Sequence, residues 1–172
     1  MNDILKAVEE RRSVRAYEDR PVPRELIEQV VDAGLWAPSG MGRQSPIIVA
    51  VTDKALRDRL SAANAAVMGG NGDPFYGAPV VLVVLAPRDV PTHVYDGSLA
   101  MGSMMLAAHA LGLGSCWIHR AKEVFDEPAF KQVLADLGVE GDYEGVGNCI
   151  LGWPAEVPDA KPRREGRVFW AS

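Results

Sequence analysis

The stretch DGSLAMGSMMLAAHALGLG, Asp96–Gly114, constrains the fold of this chain more than any other. Small residues (Gly97, Ala100, Gly102 and Ser103) interleave with Met101, Met104, Met105 and Leu106. Read at helical period the segment is apolar nearly all round, and such a helix belongs at the centre of a domain or in an interface. Gly112 and Gly114 are placed to end it. Its natural partners are short runs rich in β-branched residues: IIVAVT (Ile47–Thr52), PVVLVVLA (Pro79–Ala86), SCWI (Ser115–Ile118) and GVGNCILGWP (Gly145–Pro154). Each has the length and composition of a strand.

Helices fill the intervals. Asn2 or Asp3 can cap a first helix, in which Ile4, Leu5 and Val8 form one stripe and which ends at the arginines that follow. Pro21 and Pro23 punctuate an extended connection, and Pro23 suits the first turn of a second helix. Leu26, Ile27, Val30, Val31 and Leu35 recur there at helical spacing. Asp53 can cap a third helix through about Ala66. KEVFDEPAFKQVLADLG reads as helical, interrupted near Pro128. Two connections are rich in glycine: WAPSGMGRQSP (Trp36–Pro46) and MGGNGDPFYG (Met68–Gly77), the second with the density of a surface flap. No repeat and no interdomain linker is visible. The pattern predicts a single α+β domain over residues 1–172, with a sheet of about four or five strands flanked by helices.

A formal net charge of −5 argues against a general nucleic-acid binder, whose footprint is a basic face. The two cysteines, Cys116 and Cys149, lie far apart in apolar surroundings and read as buried thiols of a reducing compartment. MNDILKAVEERR carries charge where a secretion signal needs an apolar core, and the run Ala78–Pro87 is too short to cross a bilayer as a helix. A cytoplasmic protein is expected.

Against that acidic background, Arg11, Arg12 and Arg15 cluster in ERRSVRAY. In an extended chain alternate residues share a face, so Arg11, Ser13 and Arg15 present two guanidiniums and a hydroxyl together. Such a set suits a phosphate, whose oxygens pair with the donors of arginine. Arginines that follow a helix also complement its dipole, and spacing does not choose between the two roles. A second basic knot, Lys161, Arg163 and Arg164, lies in a tail without hydrophobic periodicity and reads either as a converging anion site or as a solvated end. The loop APSGMGRQSP allows close backbone approach to a ligand, as many helix-to-strand loops do. His119 stands alone, without a neighbouring carboxylate or second histidine in sequence. The chain offers an anion site and apolar surface but no nucleophile or general-base constellation, a combination that suits chemistry carried by a cofactor.

RRSVRAY, LIEQVVDAGLWAPSGMGRQSPIIVAV, DGSLAMGSMMLAAHALGLGSCWIHR and the terminal KPRR together resemble the FMN-dependent nitroreductase family, in order and across nearly the whole chain. The resemblance implies a three-layer α+β fold around a mixed sheet, and an intertwined homodimer with FMN at its interface. It also implies ping-pong hydride transfer from NADH or NADPH through flavin N5 to a nitro compound, quinone or similar acceptor. Arg11, Arg12 and Ser13 match positions that hold the FMN phosphate. Arg15 matches a cation at the flavin N1/O2 edge, and Gln44 belongs to the loop beside the ring and ribityl chain. Ile118, His119 and Arg120 match the segment whose backbone approaches N5 and O4. Lys161 and Arg163 match tail residues (within 156–172) that return to the phosphate.

The chain departs from the family pattern at two positions. Gly42 stands where the loop commonly has Asn, and Ser103 where the long helix commonly has Asn after glycine. Both changes remove an amide that could bond flavin or frame its pocket. They make a flavin-binding carrier or sensor with little turnover the alternative expectation. A family member with different flavin chemistry is a third.

Overall fold

The computed structural model of the chain describes residues 2–171; Met1 and Ser172, the outer ends of the expected 1–172 domain, lie outside the described residues. The elements are α1 (Asp3–Glu10), α2 (Arg24–Leu35), a 3-10 turn (Gly40–Gly42), β1 (Ile47–Val51), α3 (Lys54–Val67) and β2 (Val80–Pro87), followed by α4 (His93–Ala110), β3 (Gly114–Ile118), α5 (Ala121–Asp126), α6 (Pro128–Asp136) and β4 (Tyr143–Gly152). The strands form one sheet in the order β1-β2-β4-β3, and each neighbouring pair is antiparallel. Of the mixed character expected, the described residues retain one isolated parallel bridge, Ser13 to Ser115.

β2 explains the layering. It is buried from Val80 to Ala86, which is why its sequence is continuously apolar rather than alternating. Val80, Leu82, Val84 and Ala86 face one core with Val30, Met101 and Met104, under α2 and α4. Val81, Val83 and Leu85 face the other with Leu60, Phe75, Phe125 and Phe130, under α3, α5 and α6. Each large side chain so buried contributes about 1.5–3 kcal/mol of hydrophobic stabilisation.

α4 lies across the sheet as its composition demands, and glycine allows the approach: a Cβ on Gly97 would stand 2.6 Å from Val146 Cγ2 on β4. The helix begins at His93, earlier than the sequence suggests. Asp96 is therefore inside its first turn, where Oδ1 accepts from Gly40 N (2.9 Å) and Oδ2 from Thr92 Oγ1 (2.8 Å). Its other faces are less covered, with Val94, Tyr95 and Leu99 exposed. α1 buries no residue at all, and its stripe Ile4, Leu5 and Val8 is open to solvent.

The expected caps form at Asn2, which accepts from Ile4 N (2.9 Å), and at Asp53, which accepts from Leu56 N (2.8 Å). Pro23 occupies the cap position before α2, and Pro128 opens α6 as a separate helix. Cys116 and Cys149 are buried in opposite cores, and burial pushes the Cys149 thiol up to about 12. Among the described residues no helix is long and apolar enough to cross a membrane.

Candidate functional site

Residues 11–17 leave α1 in extended conformation and are stapled between β3 and the end of β4. Val14 N donates to Ser115 O (3.0 Å), Glu18 N to Trp153 O (2.9 Å) and Ala155 N to Ala16 O (2.9 Å). Tyr17 adds a bond from its hydroxyl to Val14 O (2.8 Å), and burial holds that phenol far above its ordinary pKa. Extended chain alternates, so Val14 is buried and Arg15 points out.

Arg15 lines a pocket of about 400 Å³, and Ile118, His119 and Arg120 line it as well. Two buried amides fix this second segment. Asn64 Nδ2 donates to His119 O (2.8 Å), and Asn148 Nδ2 donates to Ile118 O (3.3 Å). Arg120 then turns through the left-handed region at φ 75° before α5 begins. Trp117 also lines the pocket, and its ring lies over Gly147, where a Cβ would stand 2.4 Å from Nε1. Met68, Asp73, Pro74 and Tyr76, from the glycine-rich loop after α3, complete the wall.

The other basic residues divide. Arg12 Nη1 donates to Glu9 O (2.6 Å) and Arg11 O (2.8 Å), the helix-end role that its position allows. Arg11 is different: its Nη1 is buried without a hydrogen-bond partner among the described residues. An unsatisfied buried donor costs about 1–3 kcal/mol, more on a charged group, and an anion is the partner that relieves it. Ser13 is half-buried beside it. Gln44 lies elsewhere, in a separate pocket of about 150 Å³ with Gly34 and Asp96. Its backbone is left-handed at φ 52°, and its N–H donates to Ser39 Oγ (2.8 Å). Lys161 and Arg163 are exposed in the tail and form no ion pair with a described residue.

The structure thus brings Arg15 together with Ile118–Arg120, keeps Arg11, Arg12 and Ser13 on the adjoining segment, and leaves Gln44, Lys161 and Arg163 apart. Asn64, Asn148, Trp117, Asp73 and Tyr76 were not anticipated. Only the Asp-Pro-Phe-Tyr run gave a usable signal, because aspartate before such a turn tends to bond local N–H groups. The Arg11 donor and the Arg15 pocket fit a phosphorylated flat heterocycle such as FMN: a charge needing an anion, four residues along the chain from an arginine that lines a cavity in the size range of small-ligand sites.

Comparison with known proteins agrees with this chemistry. The model of the family described as the nitroreductase family matches residues 8–72 and 63–153. A protein of Archaeoglobus fulgidus, provisionally named NADH dehydrogenase/NAD(P)H nitroreductase, is 32% identical over 164 residues, 92% of this chain and 90% of its own length. A protein of the same name from Methanothermobacter thermautotrophicus is 32% identical over 119 residues, 67% of this chain, and the match spans only 60% of that relative. Among solved structures, the nitroreductase with bound FMN from Bacteroides fragilis superposes with a TM-score of 0.91 at 25% identity, covering 100% of both chains.

Proposed function

The chain belongs to the nitroreductase family, and from that premise we propose that it is an FMN-dependent oxidoreductase using NADH or NADPH to reduce an electron-poor acceptor. The observation that carries this is the convergence in one pocket of Arg15 with the Ile118–Arg120 turn, from distant parts of the sequence. When bound there, FMN would supply the hydride chemistry that links NADH or NADPH to a nitro compound, quinone or similar acceptor by a ping-pong mechanism.

The chain's own residues bind and tune. Arg11 and Ser13 would hold the phosphate, Arg11 through the donor that has no partner among the described residues. Arg12 contributes its remaining donors, since only Nη1 is engaged by backbone carbonyls. Arg15 would place positive charge in the pocket of the ring and so favour a reduced, anionic flavin. The turn Ile118–Arg120 would form one side of the ring's site, with its shape fixed by Asn64 and Asn148. No side chain need donate a proton to the acceptor, because the pocket is open to solvent water.

Gln44 and the tail residues Lys161 and Arg163 join the site in a homodimer. The separate pocket of Gln44 supports a site completed by a second copy, as do the exposed apolar residues of α1 and α4. The buried, unbridged thiols of Cys116 and Cys149 support a cytoplasmic location.

The test is cofactor titration. The protein is expected to bind one FMN per chain and to prefer FMN strongly over riboflavin, because the arginines act on the phosphate. Equal affinity for the two flavins overturns the phosphate assignment. Anaerobic mixing of the loaded protein with NADH and NADPH then tests turnover, and reduction without onward transfer to any of a panel of acceptors indicates a carrier or sensor.

A further inference from the structure

The loop over the pocket is anchored chiefly toward one end. Its first half, with Gly69, Gly70, Asn71 and Gly72, is exposed. The second half is gripped by Asp73. Oδ1 accepts from Ser61 Oγ (2.5 Å) and Phe75 N (2.9 Å), and Oδ2 accepts from Arg57 Nη2 (2.6 Å) and Gly77 N (2.8 Å). Arg57 is itself buried and fixed, donating from Nε to Ala78 O (3.0 Å). Phe75 is sealed in the core at 0% exposure.

This grip sets the next residue. Tyr76 is held at φ 53°, a left-handed backbone that disfavours side chains other than Asn and Asp. Its ring lines the pocket yet is 43% exposed, and it belongs to neither core. A large aromatic is thus kept at a pocket rim, on an unfavourable backbone and outside both cores.

We propose that Tyr76 is a specificity-determining residue for the acceptor, offering its ring to flat aromatic acceptors such as quinones, and that Asp73 is the positioning residue that holds it there. This rests on the flavin assignment above. An aromatic face adds attraction for a flat ring and none for a compact inorganic acceptor.

The experiment compares menadione with ferricyanide on FMN-loaded protein, using Tyr76→Gly, Tyr76→Phe and Asp73→Asn. Tyr76→Gly relieves the backbone and removes the ring, so folding is preserved. It is expected to raise the menadione KM about three- to ten-fold, with a much smaller change in menadione kcat and in the ferricyanide KM. Tyr76→Phe is expected to keep the low menadione KM. Asp73→Asn is expected to raise that KM as well and, in the flavin-free chain, to speed chymotryptic cutting after Phe75 or Tyr76. All KM values are taken at saturating FMN, with the FMN affinity of each variant measured by fluorescence, because Tyr76 and Asp73 line the pocket assigned to the flavin. An unchanged menadione KM in Tyr76→Gly, or an equal rise for both acceptors, overturns the proposal. Faster cutting of Asp73→Asn with the menadione KM unmoved reduces Asp73 to a structural role and overturns its part. A wild-type chain that binds no FMN instead overturns the flavin assignment, and does so before any acceptor is tried.

Discussion

Two arginines on one short segment have different work, and substitution separates them from the tail. Arg11 has a buried donor without a partner among the described residues, whereas Arg15 faces the pocket that the ring would occupy. A phosphate contact acts alike on oxidised and reduced flavin. Arg163→Ala is therefore expected to weaken FMN binding, by about 1.5–3 kcal/mol if it makes one charged hydrogen bond, and to leave the potential unchanged. Arg15→Ala is expected to weaken binding and also to lower the flavin reduction potential, because it removes positive charge beside the reduced ring. Spectroelectrochemical titration of both variants checks this, and an unchanged potential in Arg15→Ala refutes its assignment. Gly42 yields a second prediction. Its φ of 64° is one that Asn tolerates, and no atom lies within 4 Å of a Cβ built there. Gly42→Asn should fold normally and, if the amide reaches flavin, tighten FMN by about 1 kcal/mol, several-fold. Unchanged affinity with acceptor turnover lost would show instead that Gly42 makes room for the acceptor.

At the scale of elements, the sequence was most legible where one physical signal dominated. β2 was visible because burial on both faces leaves a continuous β-branched run, and α3 because Asp53 stands at its cap. Boundaries were missed where functional polarity intruded: β4 begins at Tyr143 and α4 at His93, both in polar sequence. The site was legible as charge and illegible as contact. The arginine cluster showed in the chain, but Asn64 and Asn148 meet the Ile118–His119 carbonyls only after folding, and no local pattern marks such amides. The Met68–Gly77 loop read as flexible because its glycines outweighed the one residue that anchors it. That anchor carries a pH prediction. Partial burial opposes the Asp73 anion, but hydrogen bonds from Arg57, Ser61 and the N–H groups of Gly77 and Phe75 prevail and lower its pKa from 3.8 to about 2. A carboxyl lowered on folding stabilises fully above its ordinary value and loses that contribution as pH falls through the folded one. Protection of the Phe75 and Gly77 amides from hydrogen exchange, corrected for intrinsic rates, is expected to hold down to about pH 4 and to fall between there and about pH 2. Loss of protection already near pH 6 would show that the clasp does not hold the loop. Packing gives a sharper test. A Cβ on Gly145 would stand 2.3 Å from the Ala121 backbone, which cannot move without α5. Gly145→Ala is expected to destabilise the fold by about 1–3 kcal/mol or more, read by denaturant titration.

For the whole molecule, the exposed apolar residues point beyond a single chain. α1 lies on the surface with Ile4 67% exposed, and Leu5 and Val8 are open beside it. α4 exposes Tyr95 and Leu99, and the tail exposes Val168, Phe169 and Trp170. Exposed apolar residues grouped on these elements are the kind that an interaction face would cover. The binding residues are divided in the same way, with Arg15 in one pocket, Gln44 in another and Lys161 and Arg163 in the tail. A second copy that covers α1 and α4 would account for both facts if it brought one chain's Gln44 and tail toward the other's Arg15. We therefore expect a homodimer that buries well above the roughly 1,600 Å² of a standard interface. Light scattering of the FMN-loaded protein at micromolar concentration should give twice the mass of the chain. Leu5→Glu combined with Val8→Glu touches no buried residue of the single chain, so it should leave each fold intact while opposing the interface. It is expected to give a monomer with native-like circular dichroism and weakened FMN binding, because the groups divided between copies no longer meet. A dimer that dissociates without loss of FMN affinity would place the whole flavin site within one chain. A wild-type monomer with flavin bound would remove the dimer altogether and require the tail to close on its own arginines.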